Sequence, residues 1–426
     1  VGTAALVLLT LFAAREERAR FADAPGIDFY QYWAVPLLRS VVGPPLGDPY
    51  LQAPAYAAAL DAFAEGRPDR RLDEARSYRR RPEFFQTPLL FLAFAPFPRS
   101  YTAARALYHA LQLAGLAAGL VWLGRAFAVP SRSTLLFGLA ALVAFAPVGW
   151  DLNVGNVALL QWPALALAVW AASRPEARAG LRAAAVPGLV FWVLAKPTVA
   201  LTAGVLLLAL AWPACGRRLV GIVALASGVA FLAAPCLYFG SWAVWWHWYE
   251  AVVASGRLGI PTAEGNLSVP LLLAGVLGIG QGAALGLVAG ALLLSLAAAW
   301  SVRRGAGGGI EAGGHALPAL LALSIGGTTA MLGLVWPHYQ VLFLLPGVTW
   351  LAGTGALSRP AALTLLALVM ASAQVTGFFG AATTWKQPAV TVHALAWLPL
   401  WLAGLDRLAR GDGRPPRAGL IPSASP

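Results

Sequence analysis

The chain has 426 residues, 59% apolar and only 11% charged, with a mean hydropathy of +0.69. No soluble domain of that size can cover so much apolar side chain, so lipid must be the solvent for most of it. A formal charge of +12 would point to nucleic acid in a soluble protein, but in a membrane chain basic loops set orientation instead, and no nucleic-acid partner is expected.

In chain order, residues 1–14 are apolar without an initial Met and are read as the remainder of a span, not as a cleaved signal. A long charged segment follows, from about Arg15 to Ser100, and contains Asp28-Phe29-Tyr30-Gln31-Tyr32-Trp33. Its stretches 29–33 and 54–63, the latter with Tyr56, Leu60 and Phe63 on one face, are expected as helices lying along the membrane interface. Apolar runs of spanning length then recur at 101–124, 133–149, 155–173, 184–196, 197–213, 218–239, 270–301, 316–335, 338–356, 361–380 and 389–405. With 1–14 these make about twelve spans. The expected fold class is therefore an all-α polytopic membrane protein, with a single domain over 1–410. The Pro-, Gly- and Arg-rich segment 411–426 is read as a disordered cytoplasmic tail.

Short basic loops decide the sides. Arg125 and Arg132, then Arg174, Arg178 and Arg182, then Arg217 and Arg218, Arg303 and Arg304, Arg359, and Arg407 to Arg417 all fall on one face, which must be cytoplasmic. Loops longer than about 60 residues escape this rule, so the basic first loop does not break it. Both termini are then inside, and Asp28, Asn156, Asn266 and His338 outside. The run 184–213 is interrupted by Lys196-Pro197. Because Arg182 and Arg217 belong on the same side, two short helices meeting near Lys196 are expected, the break lining a cavity rather than facing lipid.

Other features read as structural. Gly278, Gly282, Gly286 and Gly290 form a small-residue stripe of the kind that lets helices approach closely. Trp242, Trp245, Trp246, Trp248 and Tyr249 suit an interfacial helix. Cys215 and Cys236 cannot form a disulfide framework. No Cys/His metal spacing, Walker-type loop or Ser nucleophile elbow occurs, and neither cofactor nor metal is expected.

A few polar residues remain that could carry chemistry. Asp28 is either a solvated loop carboxylate or, among aromatic rings at the membrane surface, a general base. Lys196 lies deep in an apolar run, where a charge defaults to function; the alternative is snorkelling to the outer interface. His338, in Trp336-Pro337-His338-Tyr339-Gln340, can donate a charged hydrogen bond to a phosphate or serve as a hydrogen-bonded structural residue. Asp151, Asn153 and Asn156 crowd an outer helix start, and a helix N-terminus there favours an anion. Asn266-Leu267-Ser268 matches a glycosylation sequon, a pattern short enough to arise by chance. His109, His315 and His393 have no convergent partners in the pattern and read as structural.

These motifs share an order: an early outer Asp-Phe-x-x-Tyr, a Pro-containing stretch before the second span, a Gly-Asn helix start, a Lys-Pro inside a short span, an Asn-x-Ser, then Trp-x-His-Tyr. That order, from Asp28 to about Pro346, resembles the membrane glycosyltransferases of the GT-C superfamily. Family 87, which includes polyprenol-phosphate-mannose-dependent mannosyltransferases, is the nearest in pattern. Where that family has His-His-Tyr, this chain has Pro337-His338-Tyr339. Its Tyr-Pro-Pro reads Phe85-Gln86-Thr87-Pro88 here, and its Gly-Gln reads Gly155-Asn156. The resemblance implies a GT-C fold and an inverting transferase that moves a sugar, mannose first, from a polyprenyl monophosphate to a lipid or glycan acceptor. It also implies Asp28 as catalytic base. Lys196 and His338 would then bind the donor phosphate, while Tyr32, Asp151, Asn153, Asn156, Asn266 and Tyr339 would line the substrate site. The active site would face the extracytoplasmic side of the cell membrane.

The rival class is a transporter or flippase, since twelve spans with inside termini is also a carrier plan. Carriers of that plan divide into similar halves. No such halving is visible here, and a long charged first outer loop is foreign to that plan. A non-catalytic scaffold would leave Asp28 and Lys196 without a role.

Overall fold

A computed structural model describes residues 10–16, 18–19, 21, 24–66, 68–78, 84–174, 179–212, 216–257, 267–305, 316–332, 335–352, 358–372 and 388–410. Asn266, the tail 411–426 and the beginning of the 1–14 run lie outside the described residues. Among those described, every regular element is helical.

Three helices are long and apolar enough to cross a membrane: Tyr101–Ala126, Arg217–Phe239 and Gln281–Arg304. A fourth crossing arises if Ser131–Ala144 and Ala146–Val154, bent by 67°, count as one span. Large apolar side chains on the long helices stand exposed, among them Ile222, Leu225, Val229, Leu293 and Leu294. In water such surfaces would drive aggregation; in lipid they are solvated. The chain is a membrane protein.

Three or four of the expected twelve crossings are met by helices of full length, and several other apolar runs form shorter helices. Ala158–Ala172, Ala179–Ala195, Pro197–Ala211, Leu317–Met331 and Arg359–Ala371 have 10–17 residues each. At 1.5 Å per residue such helices cover about 15–26 Å, short of a hydrocarbon core of roughly 30 Å. The 270–301 run is likewise two helices, Val269–Leu277 and Gln281–Gly305, parted at Gly278 with φ +65°. The 338–356 run begins as a 3-10 helix, Pro337–Phe343, and continues as the short helical pieces Leu344–Gly347 and Val348–Ala352. Proline and glycine inside apolar runs account for most of these interruptions, because each removes or loosens a backbone hydrogen bond.

The break predicted at Lys196 is present. Ala179–Ala195 ends, Lys196 adopts φ −147°, and a 3-10 turn, Pro197–Val199, leads into Ala200–Ala211. Thr87 is the N-cap of Pro88–Ala93, a helix of the long first loop, and its hydroxyl donates to the Ala195 carbonyl over 2.9 Å. The long loop thus satisfies a helix-end carbonyl orphaned at the break.

The long first loop is ordered over its described part. Its helix Ala53–Glu65 buries Tyr56, Ala57, Leu60 and Ala64 on one face, as the spacing predicts. The helix carrying the aromatics, Ile27–Val42, is more deeply packed than an amphipathic surface helix. Ile27 through Leu38 are buried on every face. Phe29 stacks on Tyr108 with ring centres 4.7 Å apart and meets Phe94, Phe97 and Tyr101 edge-on or tilted. With apolar rings on all sides, the helix has no polar face to offer to water.

The tryptophan cluster forms the helix Val244–Arg257 with Trp246 and Tyr249 exposed. It is pinned to the first loop by His247 Nδ1, 2.8 Å from Asp48 Oδ2, and by Trp248 Nε1 donating to the Phe85 carbonyl over 3.0 Å.

The glycine stripe at 278–290 does not work as the pattern suggests. A Cβ built on Gly278, Gly282, Gly286 or Gly290 meets nothing within 4 Å. The close approach occurs elsewhere, where Tyr101–Ala126 packs on Ala158–Ala172. A Cβ on Gly119 would fall 1.8 Å from the Trp162 ring, and one on Gly115 2.6 Å from the Leu159 carbonyl oxygen. Both glycines exist to let these helices touch.

Candidate functional site: an Asp–Asn–Lys chain beside a hydroxyl-lined recess

The site is assembled where the bent segment 146–157 meets the helix Ile27–Val42. Ala146–Val154 ends at Gly155, whose φ of +70° is a conformation that favours glycine. A Cβ there would also sit 2.7 Å from the Phe29 Cβ. Only glycine lets the chain pass this close to the Asp28 helix, and the next residue, Asn156, reaches Asp28 as a result. The helix Tyr101–Ala126 fixes the same segment from one face. The Arg105 guanidinium donates to the Leu152 carbonyl, Tyr108 to that of Asn156 over 2.6 Å, and Gln112 Nε2 to that of Asn156 over 2.8 Å.

Asp28 occupies the first turn of Ile27–Val42, where unpaired backbone N–H groups favour negative charge. It is 8% exposed. Its Oδ2 accepts from Asn156 Nδ2 over 2.7 Å. Asn156 Oδ1 accepts in turn from the Val157 backbone N–H over 2.7 Å and from Lys196 Nζ over 3.4 Å. The Val157 donor fixes the amide orientation, because only oxygen can face an N–H. One amide therefore joins the buried carboxylate to the buried ammonium.

Lys196 is 8% exposed, so it does not snorkel into open solvent. Its Nζ lies 5.3 Å from the centre of the Tyr339 ring, a cation–π contact. His338 is buried beside Tyr339, with ring centres 4.8 Å apart and nearly perpendicular. Tyr339, not His338, is the side chain that meets Lys196.

Tyr32 stands one turn after Asp28 on the same helix face. Its hydroxyl is buried without a hydrogen-bond partner among the described residues. Burial first, then the charge of Asp28, raises its phenol well above the ordinary value, so it stays a neutral donor.

Asp151 has a different place. It is fully buried, and its carboxylate accepts from the backbone N–H groups of Ala158 (3.2 Å) and Leu159 (3.1 Å) and from Gln112 Nε2 (3.2 Å). The helix start at Ala158 is capped by this carboxyl group, so its first N–H groups already have a partner. Asp151 is a cap and does not line the recess. Asn153 is half-buried, its Oδ1 has no partner among the described residues, and no bond ties it to the Asp28–Asn156–Lys196 chain. The structure thus brings together Asp28, Tyr32, Asn156, Lys196 and Tyr339.

On the Lys196 side opens a recess of about 400 Å³, its mouth included, lined among others by Gln161, Thr198, Thr202, Thr328 and Thr329. Sequence reading passed over these residues. Thr198 and Thr202, four apart after the Lys-Pro break, and the pair Thr328-Thr329 inside an apolar helix were the available signal. Arg105, Tyr108 and Gln112, polar residues on one face of an apolar span, were another. No group of three or more His, Cys, Asp or Glu that could hold a metal occurs among the described residues. Comparison of the chain with known protein families, with curated proteins and with solved structures found no match.

Proposed function

We propose that this chain is an inverting membrane glycosyltransferase of GT-C type, similar to family 87, with about twelve crossings and its active site on the extracytoplasmic face of the cell membrane. It would move a sugar, mannose first, from a polyprenyl monophosphate to a lipid or glycan acceptor. The observation that carries the reading is the single amide, Asn156, between a buried carboxylate and a buried ammonium. An inverting transfer needs those two charges near each other and on opposite sides of one sugar.

In the proposed step, Asp28 takes the proton of the acceptor hydroxyl as its oxygen attacks the anomeric carbon. The bond from that carbon to the phosphate oxygen breaks, and the polyprenyl phosphate leaves with the electron pair. Lys196, with His338 packed on the Tyr339 ring, stabilises the charge gathering on the phosphate. A phosphate leaves without protonation, so one carboxylate suffices. Tyr32, a neutral phenol one turn from Asp28, is placed to hold a sugar or acceptor hydroxyl.

The test is consumption of radiolabelled polyprenyl-phosphate sugars by membranes containing the protein, with the sugar varied. Transfer of at least one sugar, abolished in Asp28→Asn, supports the reading; no consumption of any donor overturns it. The sidedness is checked separately by labelling Arg178→Cys and Asn266→Cys, which must react from opposite faces.

A further inference from the structure

We infer that the recess beside Lys196 is a phosphate cradle in which Gln161 and Thr202 are the second and third donors, holding non-bridging oxygens of the donor's phosphodiester and of the prenyl monophosphate it leaves behind. The inference rests on the reading of Lys196 as the contact to the donor phosphate, and it adds residues that neither the motifs nor the resemblance point to.

The lining is chemically one-sided. It contains a lysine, two amides, a phenol and four threonines, and no carboxylate. A cation site would need acids. Lys196 has three N–H donors, of which one reaches Asn156 Oδ1 over 3.4 Å, a long bond for a charged donor. Asp28 balances this charge only through Asn156 and without contact, so an anion in direct contact is favoured.

Gln161 supplies the independent sign. It is 3% exposed, lines the recess, and its Nε2 is buried with no acceptor among the described residues. A buried amide donor left unpaired is costly, and a ligand oxygen would relieve that cost. Thr202 is 1% exposed and lines the same recess. The threonines differ among themselves. Thr328 and Thr329 donate their hydroxyl protons to the Ser324 and Ile325 carbonyls of their own helix, over 2.7 and 2.9 Å. They therefore present lone pairs, suited to a ligand hydroxyl. Among the described residues Thr202 makes no such bond, and its proton is available to an anion. Donors thus come from Lys196, Gln161 and Thr202, and acceptors from Thr328 and Thr329.

Binding to the purified full-length protein in detergent tests this, with three probes: a short-chain prenyl monophosphate, the same prenyl alcohol, and inorganic phosphate. Gln161→Met keeps the shape and should weaken monophosphate binding about tenfold, leaving the alcohol unchanged. Gln161→Glu should weaken it further by charge repulsion. Thr202→Val, a near-isosteric change, gives the second arm and should cost severalfold. Monophosphate affinity within twofold of wild type in both Gln161→Met and Thr202→Val overturns the cradle. Competition by inorganic phosphate at similar affinity supports the cradle and assigns it to the free ion; preference for the prenyl monophosphate supports it as a lipid headgroup site. Failure of the transferase reading looks different: no sugar donor is consumed, while the Gln161 variants still lose monophosphate binding.

Discussion

Asp28 and Asp151 are both buried, and both bond to the same short stretch of chain, yet they are held in opposite ways. Asp151 accepts two backbone N–H groups and a glutamine amide, all belonging to the fold. Asp28 is held by Asn156, whose other end touches a buried lysine beside an open recess. A carboxylate ringed by fixed backbone donors is a structural cap. In the proposed reading, one linked through a side chain to a counter-charge beside a recess is the group that meets the acceptor. Burial alone does not separate the two; the identity of the donors does.

Substitution should separate them by what is lost. Asp28→Asn keeps the shape and removes basicity, so sugar transfer should fall by about 10² to 10⁴ with the melting temperature nearly unchanged. Donor binding should survive, because the carboxylate makes no favourable contact with a phosphate. A variant that transfers near the wild-type rate would break the comparison outright.

Lys196→Ala should side with Asp28: transfer and donor affinity fall together, transfer by roughly 10²-fold, since the charge assists both binding and departure of phosphate. Lys196→Arg should be only partly tolerated, because the guanidinium fork replaces a point charge poorly. Unchanged donor affinity in Lys196→Ala would remove the lysine from the site.

Asp151→Ala should do the reverse, lowering stability by about 2 kcal/mol as two helix N–H groups lose their partner. Its thermal or denaturant midpoint in detergent should drop, while activity of the folded fraction persists. A stable Asp151→Ala that is inactive would turn the cap into a functional group.

The smallest effects contrast the two sets of glycines. Gly119→Ala forces a methyl into the Trp162 ring and should destabilise by about 1–3 kcal/mol. Gly286→Ala, where a Cβ meets nothing within 4 Å, should be neutral or slightly stabilising in the same melts. Equal losses at both positions would mean that the 282–290 face packs against something after all.

Much of the architecture was legible. Hydropathy marked the membrane class, the Lys196-Pro197 dipeptide marked the broken helix, and the spacing of Tyr56 and Leu60 marked a loop helix. Asp28, Lys196 and Asn156 each stood out as polar residues in apolar or aromatic company. The resemblance placed them in one site and the Lys-Pro break was expected at a cavity; that Asn156 itself joins Asp28 to Lys196, and which threonines line the recess, did not stand out. The motif-bearing His338 packs on the Tyr339 ring, and Asp151 is a cap.

Composition and local pattern thus determined by themselves the solvent this chain needs, that its apolar runs are helical, and where proline breaks one of them. Those properties depend on neighbours within a turn or two, where transfer energy and backbone hydrogen bonding act. The tertiary structure alone decided which charges share a site. Asp28 and Asn156 lie 128 residues apart, Asn156 and Lys196 40 apart. Their contact depends on Gly155 passing close under Phe29, and no local period encodes a steric allowance between distant segments. The same holds for the glycines: a small-residue stripe is a property of one helix, but close packing needs a partner with a ring or a carbonyl to fill the gap. Gly119 has Trp162, and among the described residues Gly286 has nothing.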